Sequence, residues 1–279
     1  MLQVLFCCDS FAEKTKYSYK MATALITGAS NGIGLELAKI HASKGGDLVL
    51  VARNKQKLDE IKAALVNQYK VKVYTIGKDL SEYNAAREVY DETRKQNIQI
   101  DYLINNAGFG DFGMFAETDW NKELKMINLN ITTLTQFTKL YLKDMVARKN
   151  GKIMNVASTA AFQPGPTMAV YYATKAYVLS FSEAIGNEVS DKGVTVTALC
   201  PGATESGFQA AAAMEESALV KGKKLPTSKE VAEYGYRSMM KGKTVAIHGL
   251  INYIMANSVR FLPRAWVVKI TRKVQDKAK

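Results

Sequence analysis

Ala24-Leu25-Ile26-Thr27-Gly28-Ala29-Ser30-Asn31-Gly32-Ile33-Gly34 is the stretch on which the fold turns. Ala24-Leu25-Ile26 reads as a buried strand, and the glycines that follow break it sharply. Ile33, Leu37 and Ile40 then recur at helical spacing. A strand, a glycine-rich turn and a helix in immediate succession form the opening of a βαβ unit. Glycine is needed in such a turn so that the backbone can double back and let a pyrophosphate approach without a Cβ in the way. The helix start adds unpaired N–H groups and the positive end of its dipole. Gly28, Ser30, Asn31, Gly32, Ile33 and Gly34 are therefore the first candidate cofactor contacts.

Outward from this turn, short apolar runs alternate with longer periodic segments. Strands are expected at 47–52, 71–76, 101–104, 152–156, 194–199 and 244–247. Helices are expected to about residue 69, over 81–96 with Ser81 as N-cap, through most of 118–149, and over about 169–190. Strands separated by helix-length segments imply a parallel sheet covered on both faces. The fold class is α/β: a single Rossmann-type doubly wound domain with a seven-stranded parallel sheet and helices on both faces.

The chain has 279 residues, 47% hydrophobic and 23% charged, which excludes a disordered or collagen-like polymer. Three cysteines (Cys7, Cys8, Cys200) do not make a secreted disulfide framework, so a reducing, cytoplasmic setting is expected. No stretch approaches the ~20 apolar residues of a membrane span, and Leu2 to Cys8 lacks the flanks of a signal peptide. The apolar pattern starts abruptly after Met21, so residues 1–20 read as an extension, with Met21 an alternative natural start. Residues 21–248 read as the catalytic unit and 249–279 as a basic amphipathic tail. The net charge of +12 favours anionic partners without naming one. No metal centre is expected.

The choice of dinucleotide is written at the tip of the second strand. An NAD site places an acid about 20 residues after the glycines. Here the strand ends Val51-Ala52-Arg53-Asn54, and Arg53 offers a planar cation suited to a 2′-phosphate. NADP(H) is therefore expected over NAD(H).

Tyr171-Tyr172-Ala173-Thr174-Lys175 opens a helical run, which places Tyr171 and Lys175 on one face. An ammonium beside a phenol is expected to lower its pKa. Tyr74 and Lys78 share the spacing but lie in a strand, where four steps carry them about 13 Å apart. Ser158 follows the fifth strand, and ligands of open α/β sheets sit beyond the carboxyl ends of the strands. A serine there also serves as a cap or turn residue.

Taken together, Thr27 to Gly34, Asn105-Asn106-Ala107-Gly108, Ser158, Tyr171 to Lys175 and Pro201-Gly202 make the sequence resemble the short-chain dehydrogenases/reductases, from Met21 to about Gly249. Its closest flavour is the NADPH-dependent reductase group of mixed specificity, in which Ala-Arg ends the second strand. The resemblance implies hydride transfer between a nicotinamide and a carbonyl carbon, with Tyr171 as general acid/base. It gives Lys175 the nicotinamide ribose, Ser158 the substrate oxygen, and Asn128, close to Asn130, a proton-relay water. It also implies cofactor contacts from Asp79, Asn105, Ala107, Gly108, Tyr171, Lys175, Pro201 and Gly202. After Pro201-Gly202 the chain departs from the usual pattern, leaving Thr204 and Ser206 to make the contacts expected there.

The substrate expected is a small, apolar ketone or aldehyde and its alcohol. A 3-oxoacyl or hydroxysteroid oxidoreductase is the alternative within the family, and a non-catalytic NADPH sensor the alternative outside it. Phe162, Met168, Phe208 and Met214 are candidate pocket walls, and the segment from Gly207 to Leu225 a candidate lid. A homodimer or homotetramer is what the resemblance suggests. The tail carries seven basic residues against Asp276, with apolar stripes at 250–255 and 266–270. Packing of those stripes over the pocket or on a subunit neighbour, with a solvated basic end, is favoured over peripheral membrane contact, and nucleic acid is not expected, since no binding motif accompanies the charge.

Overall fold

Strand β1 (Thr23–Thr27) is fully buried, and its residues alternate between two cores. Ala24 and Ile26 face one core and Leu25 the other; β2 (Asp47–Ala52) repeats this, with Leu48 and Leu50 opposite Val49 and Val51. Each fully buried leucine or valine contributes about 1.5–3 kcal/mol relative to exposure. The apolar runs are continuous because both faces of the sheet are covered.

The computed structural model describes residues 22–207, 222 and 224–275. After β1 and α1 (Gly32–Ser43) come β2, α2 (Lys55–Tyr69), β3 (Val73–Gly77), α3 (Ala85–Lys95) and β4 (Tyr102–Asn105). Helix α4 (Trp120–Ile127) runs through a π-helical turn, Asn128–Thr133, into α5 (Leu134–Ala147). Then follow β5 (Gly151–Val156), a 3₁₀ turn (Thr159–Phe162), α6 (Ala169–Glu188), β6 (Val194–Cys200), α7 (Ser228–Met240) and β7 (Val245–Ile247). Two further helices, α8 (Leu250–Ser258) and α9 (Arg264–Gln275), are joined through the 3₁₀ turn Val259–Phe261.

The seven strands form one parallel sheet in the order β3-β2-β1-β4-β5-β6-β7. One core packs α1, α2 and α7 against the sheet; the other packs α3, α5 and the end of α6. This is the doubly wound Rossmann-type architecture. Its strand order reverses between β1 and β4, which opens a crevice at their carboxyl ends. Among the described residues no helix is long and apolar enough to cross a membrane.

Two boundaries differ from expectation for local reasons. Ser81 does not cap α3: Asp79 Oδ1 accepts from its backbone N–H (3.0 Å) and its hydroxyl (2.8 Å), holding it in a preceding turn. Strand β3 starts at Val73 because Lys70 ends α2 in the left-handed region (φ 59°) and Lys72 N–H donates to Asp47 Oδ1 at 2.8 Å. The expected extension (1–20), Met21, Phe208, Met214, most of the expected lid and the last four residues lie outside the described residues.

Candidate active site

The glycine turn is shaped by two neighbours. Gly28 has φ +66°, and a Cβ there would meet the Ala107 Cα and Asn106 Nδ2, each at 2.9 Å. Asn106 Nδ2 donates to the Thr27 and Gly28 carbonyls at 2.9 and 3.2 Å. The Thr27 hydroxyl accepts from the Asn106 and Ala107 backbone N–H groups at 3.0 and 2.9 Å. The tip of β4 therefore clamps the turn after β1. Asn31, the N-cap of α1, makes no side-chain cap bond, so its side chain leaves the first N–H groups of that helix to a ligand. Gly32 also has positive φ (+54°), and Ser206 lies across from it, 3.5 Å from where a Cβ would stand. A turn opened by glycines at the start of a helix fits a dinucleotide pyrophosphate.

Around this cradle, Ser30 and Ile33 are half-buried and Arg53 is exposed at the tip of β2. Burial opposes ionisation of Asp79, yet the Ser81 donors and the cations Arg53 and Lys125 hold its carboxyl below the usual range. Thr204 is buried and donates to the Gly202 carbonyl at 2.9 Å. Asn105 is buried. Its side chain runs into the sheet, donating to Asn155 Oδ1 (2.9 Å) and Thr138 Oγ1 (3.1 Å), as part of a buried network that reaches Ser182. Alternation along β4 sends it inward, and its neighbour Asn106 is the one that meets the turn.

The reacting centre lies where β5 and α6 meet. Ser158 caps the 3₁₀ turn by accepting from Ala160 N–H at 3.1 Å, and its hydroxyl also hydrogen-bonds the Tyr171 phenol. Capping and contact with the phenol coexist in one residue. Tyr171 and Lys175 are both buried on one face of α6, with Lys175 Nζ 5.8 Å from the Tyr171 ring centre. The expected depression of the phenol by this ammonium is absent. Burial pushes the Tyr171 pKa up, opposed by the Ser158 bond, while burial pulls Lys175 down to about 8. The reason is geometric: Lys175 Nζ donates to the Val156 carbonyl at 2.7 Å, not to the phenol.

The structure brings Asn130, not Asn128, beside Lys175. Asn130 is buried; its Nδ2 donates to the Phe109 carbonyl (3.0 Å) and Thr174 Oγ1 (3.1 Å), and its Oδ1 accepts from Phe109 N–H (3.3 Å). A Cβ on Gly108 would stand 3.0 Å from Asn130 Oδ1 and 3.5 Å from Lys175 Nζ. Asn128 is half-buried, and two helical steps of ~100° put it on the other side of the helix. The π turn that begins at Asn128 re-aims Asn130, and no periodicity in the sequence marks it. Thr27 and Asn106 shape the glycine turn and Asn130 lies near Lys175, and motif reading gave none of the three a role.

Beside the phenol, Met126, Ala160, Met168, Tyr171 and Tyr172 form a buried cluster flanked by Phe109, Phe112 and Val170. Met168 is therefore near the reacting centre, whereas Phe162 packs with a different cluster below β6.

Comparison with known proteins places this geometry in a family. A family model described as short chain dehydrogenase matches residues 22–217. A human very-long-chain 3-oxoacyl-CoA reductase is 34% identical over 184 residues, covering 64% of this chain and 58% of the relative. The chain thus spans less than two thirds of that relative's length. Among solved structures, a short-chain dehydrogenase from Sphingobium yanoikuyae in complex with NADPH is 32% identical with TM-score 0.78, covering 86% of this chain and 94% of that one. A bulky-bulky ketone specific alcohol dehydrogenase from Comamonas testosteroni is 29% identical with TM-score 0.74, covering 87% and 93%. With the family model spanning most of its length and the serine, tyrosine and lysine gathered beside the glycine cradle, the chain belongs to the short-chain dehydrogenase family.

Proposed function

We propose that this chain is an NADP(H)-dependent oxidoreductase that interconverts a ketone or aldehyde and an alcohol. One observation carries the reading: Ser158, Tyr171 and Lys175 converge beside the glycine-rich turn at the β1/β4 crevice. NADPH, when bound, supplies the hydride for the carbonyl carbon. Gly28, Ser30, Asn31, Gly32, Ile33, Gly34 and Ser206 would hold its pyrophosphate side. Arg53 would take the 2′-phosphate, Asp79 the adenine, and Ala107, Gly108, Pro201, Gly202 and Thr204 the nicotinamide half. Tyr171 donates its proton to the carbonyl oxygen during reduction and removes it during oxidation. Ser158 donates a hydrogen bond to that oxygen as negative charge develops there. Lys175, charged below about pH 8, would hold the nicotinamide ribose. Asn130 takes the relay position expected of Asn128.

The buried phenol favours proton transfer over mere cofactor sensing, since a sensor needs the cradle but not Tyr171. A 3-oxoacyl thioester is the second reading, favoured by the reductase named above and by the apolar wall of Met126, Met168, Phe109 and Phe112. Assembly as a homodimer or homotetramer and a cytoplasmic setting belong to the same reading. The test is NADPH oxidation followed at its absorbance band across ketones, aldehydes and a 3-oxoacyl thioester. Tyr171→Phe should lower turnover about 10²–10⁴-fold while NADPH still binds. Near-normal turnover by that variant would remove Tyr171 from the chemistry.

A further inference from the structure

Helix α8 is built inside out. Its inward residues are Asn252 and Ala256, whereas Leu250 and Ile251 are each 74% exposed and Tyr253, Ile254 and Met255 more than half exposed. Phe261, in the turn that follows, is 87% exposed. Helix α9 packs inward through Val267 and Gln275, and turns Trp266, Ile270 and Val274 outward at i, i+4 and i+8. Scattered surface leucines need no explanation, but apolar residues concentrated on two successive helices mark a contact surface.

The charge identifies what that surface meets. From Gly249 to Gln275 there are five cations, Arg260, Arg264, Lys269, Arg272 and Lys273, and no Asp or Glu. Lys269 and Lys273 lie one residue before Ile270 and Val274, so on α9 they border the outward apolar stripe. Lysine in that position keeps its stem along apolar surface and its ammonium at a polar boundary. A second copy of the chain, brought up about a two-fold axis, would set one acid-free cationic cluster against another. An anionic lipid surface complements it instead.

We propose that α8 and α9 form an interfacial platform that docks this protein on anionic lipid headgroups, with Leu250, Ile251, Ile254, Phe261, Trp266 and Ile270 entering the acyl boundary. Neither helix is long enough to span the bilayer, so the mode is in-plane docking. The platform adjoins the crevice at two points. A Cβ on Gly202 would stand 2.6 Å from Asn252 Nδ2, and the buried Gln275 at the end of α9 lies close to the Tyr172 phenol beside Tyr171. Docking would therefore hold the mouth of the candidate active site close to the lipid. The surface itself does not depend on the reductase reading and is tested without turnover.

The full chain is sedimented with vesicles of phosphatidylcholine plus phosphatidylserine, and with phosphatidylcholine alone, at low and high salt. Binding to the anionic vesicles at low salt is expected, weakened by salt. Arg260→Glu/Lys269→Glu/Lys273→Glu and, separately, Ile251→Ser/Ile254→Ser/Ile270→Ser should each reduce partitioning by about tenfold or more. Both variants change exposed side chains and should keep the parent melting temperature and NADPH affinity. In Trp120→Phe, which leaves Trp266 as the remaining tryptophan, anionic vesicles should shift emission to shorter wavelength. Absence of binding at low salt, or binding that survives the triple serine change, overturns the proposal. So does an oligomer that dissociates on that triple change in sedimentation velocity, which would make the face a contact between copies.

Discussion

Asn130 and Asn128 differ by two positions and by almost everything physical. Asn130 joins the loop after β4 to α6 through three hydrogen bonds. Removing its amide leaves Phe109 and Thr174 groups unsatisfied, at about 1–3 kcal/mol, and loosens the surroundings of Lys175. Asn130→Ala should therefore lose activity by about 10²-fold, as small misplacements near the chemistry do. Asn128→Ala should stay close to the parent in kcat. Equal losses in both variants would refute the placement. Arg53 carries the other residue-scale expectation. Exposed at the tip of β2, it should set cofactor choice through the 2′-phosphate, so Arg53→Asp should raise KM for NADPH more than tenfold and spare NADH. An unchanged NADPH/NADH ratio would count against that role. Tyr171, Lys175 and Ser158 were legible because one helical turn and one strand end suffice to bring them together. The phenol's pKa was not legible: it depends on how much water burial removes and on where Nζ finds its acceptor.

Among the elements, α1 holds the cradle and must itself be held. His41, in its last turn, is buried with Nε2 2.9 Å from the Ala22 carbonyl and Nδ1 3.0 Å from the Tyr236 hydroxyl on α7. A carbonyl only accepts, so Nε2 carries the proton and Nδ1 accepts from the tyrosine. Both bonds are made by neutral imidazole. Burial, the largest influence, depresses the His41 pKa below its ordinary 6.5 despite the raising effects of Ala22, Asp47 and Asp101. The unfolded chain then binds a proton that the folded chain resists. Stability from this residue is present in full above about pH 6.5 and is lost as pH falls through and below it, with a slope of up to about 1.4 kcal/mol per pH unit. Denaturant midpoints measured from pH 7.5 down to pH 5 should fall more steeply for the parent than for His41→Gln. Parallel slopes would show that His41 does not titrate with unfolding. The glycine turn was readable from the order of strand, glycines and helix along the chain. The clamp of Thr27 and Asn106 was not, because residues about 80 positions apart meet only once β1 and β4 pair.

On the scale of the whole molecule, the sequence by itself determined a parallel α/β sheet, the phosphate turn and the tyrosine–lysine face. These depend on short-range physics: period-two and period-3.6 burial, glycine's freedom at positive φ, and one turn of helix. Tertiary structure alone decided three other matters. It set Asn130 beside Gly108 through a π turn, because that contact depends on which side of a helix meets the loop after β4. It sent Asn105 into the sheet and Asn106 onto the cradle, because pairing with β1 and β5 sets which face of β4 is which. It also left the apolar side of α8 facing outward, uncovered by the chain's own described residues. A stripe of apolar residues states that a face seeks burial; only the packed coordinates show whether the chain's own atoms already provide it.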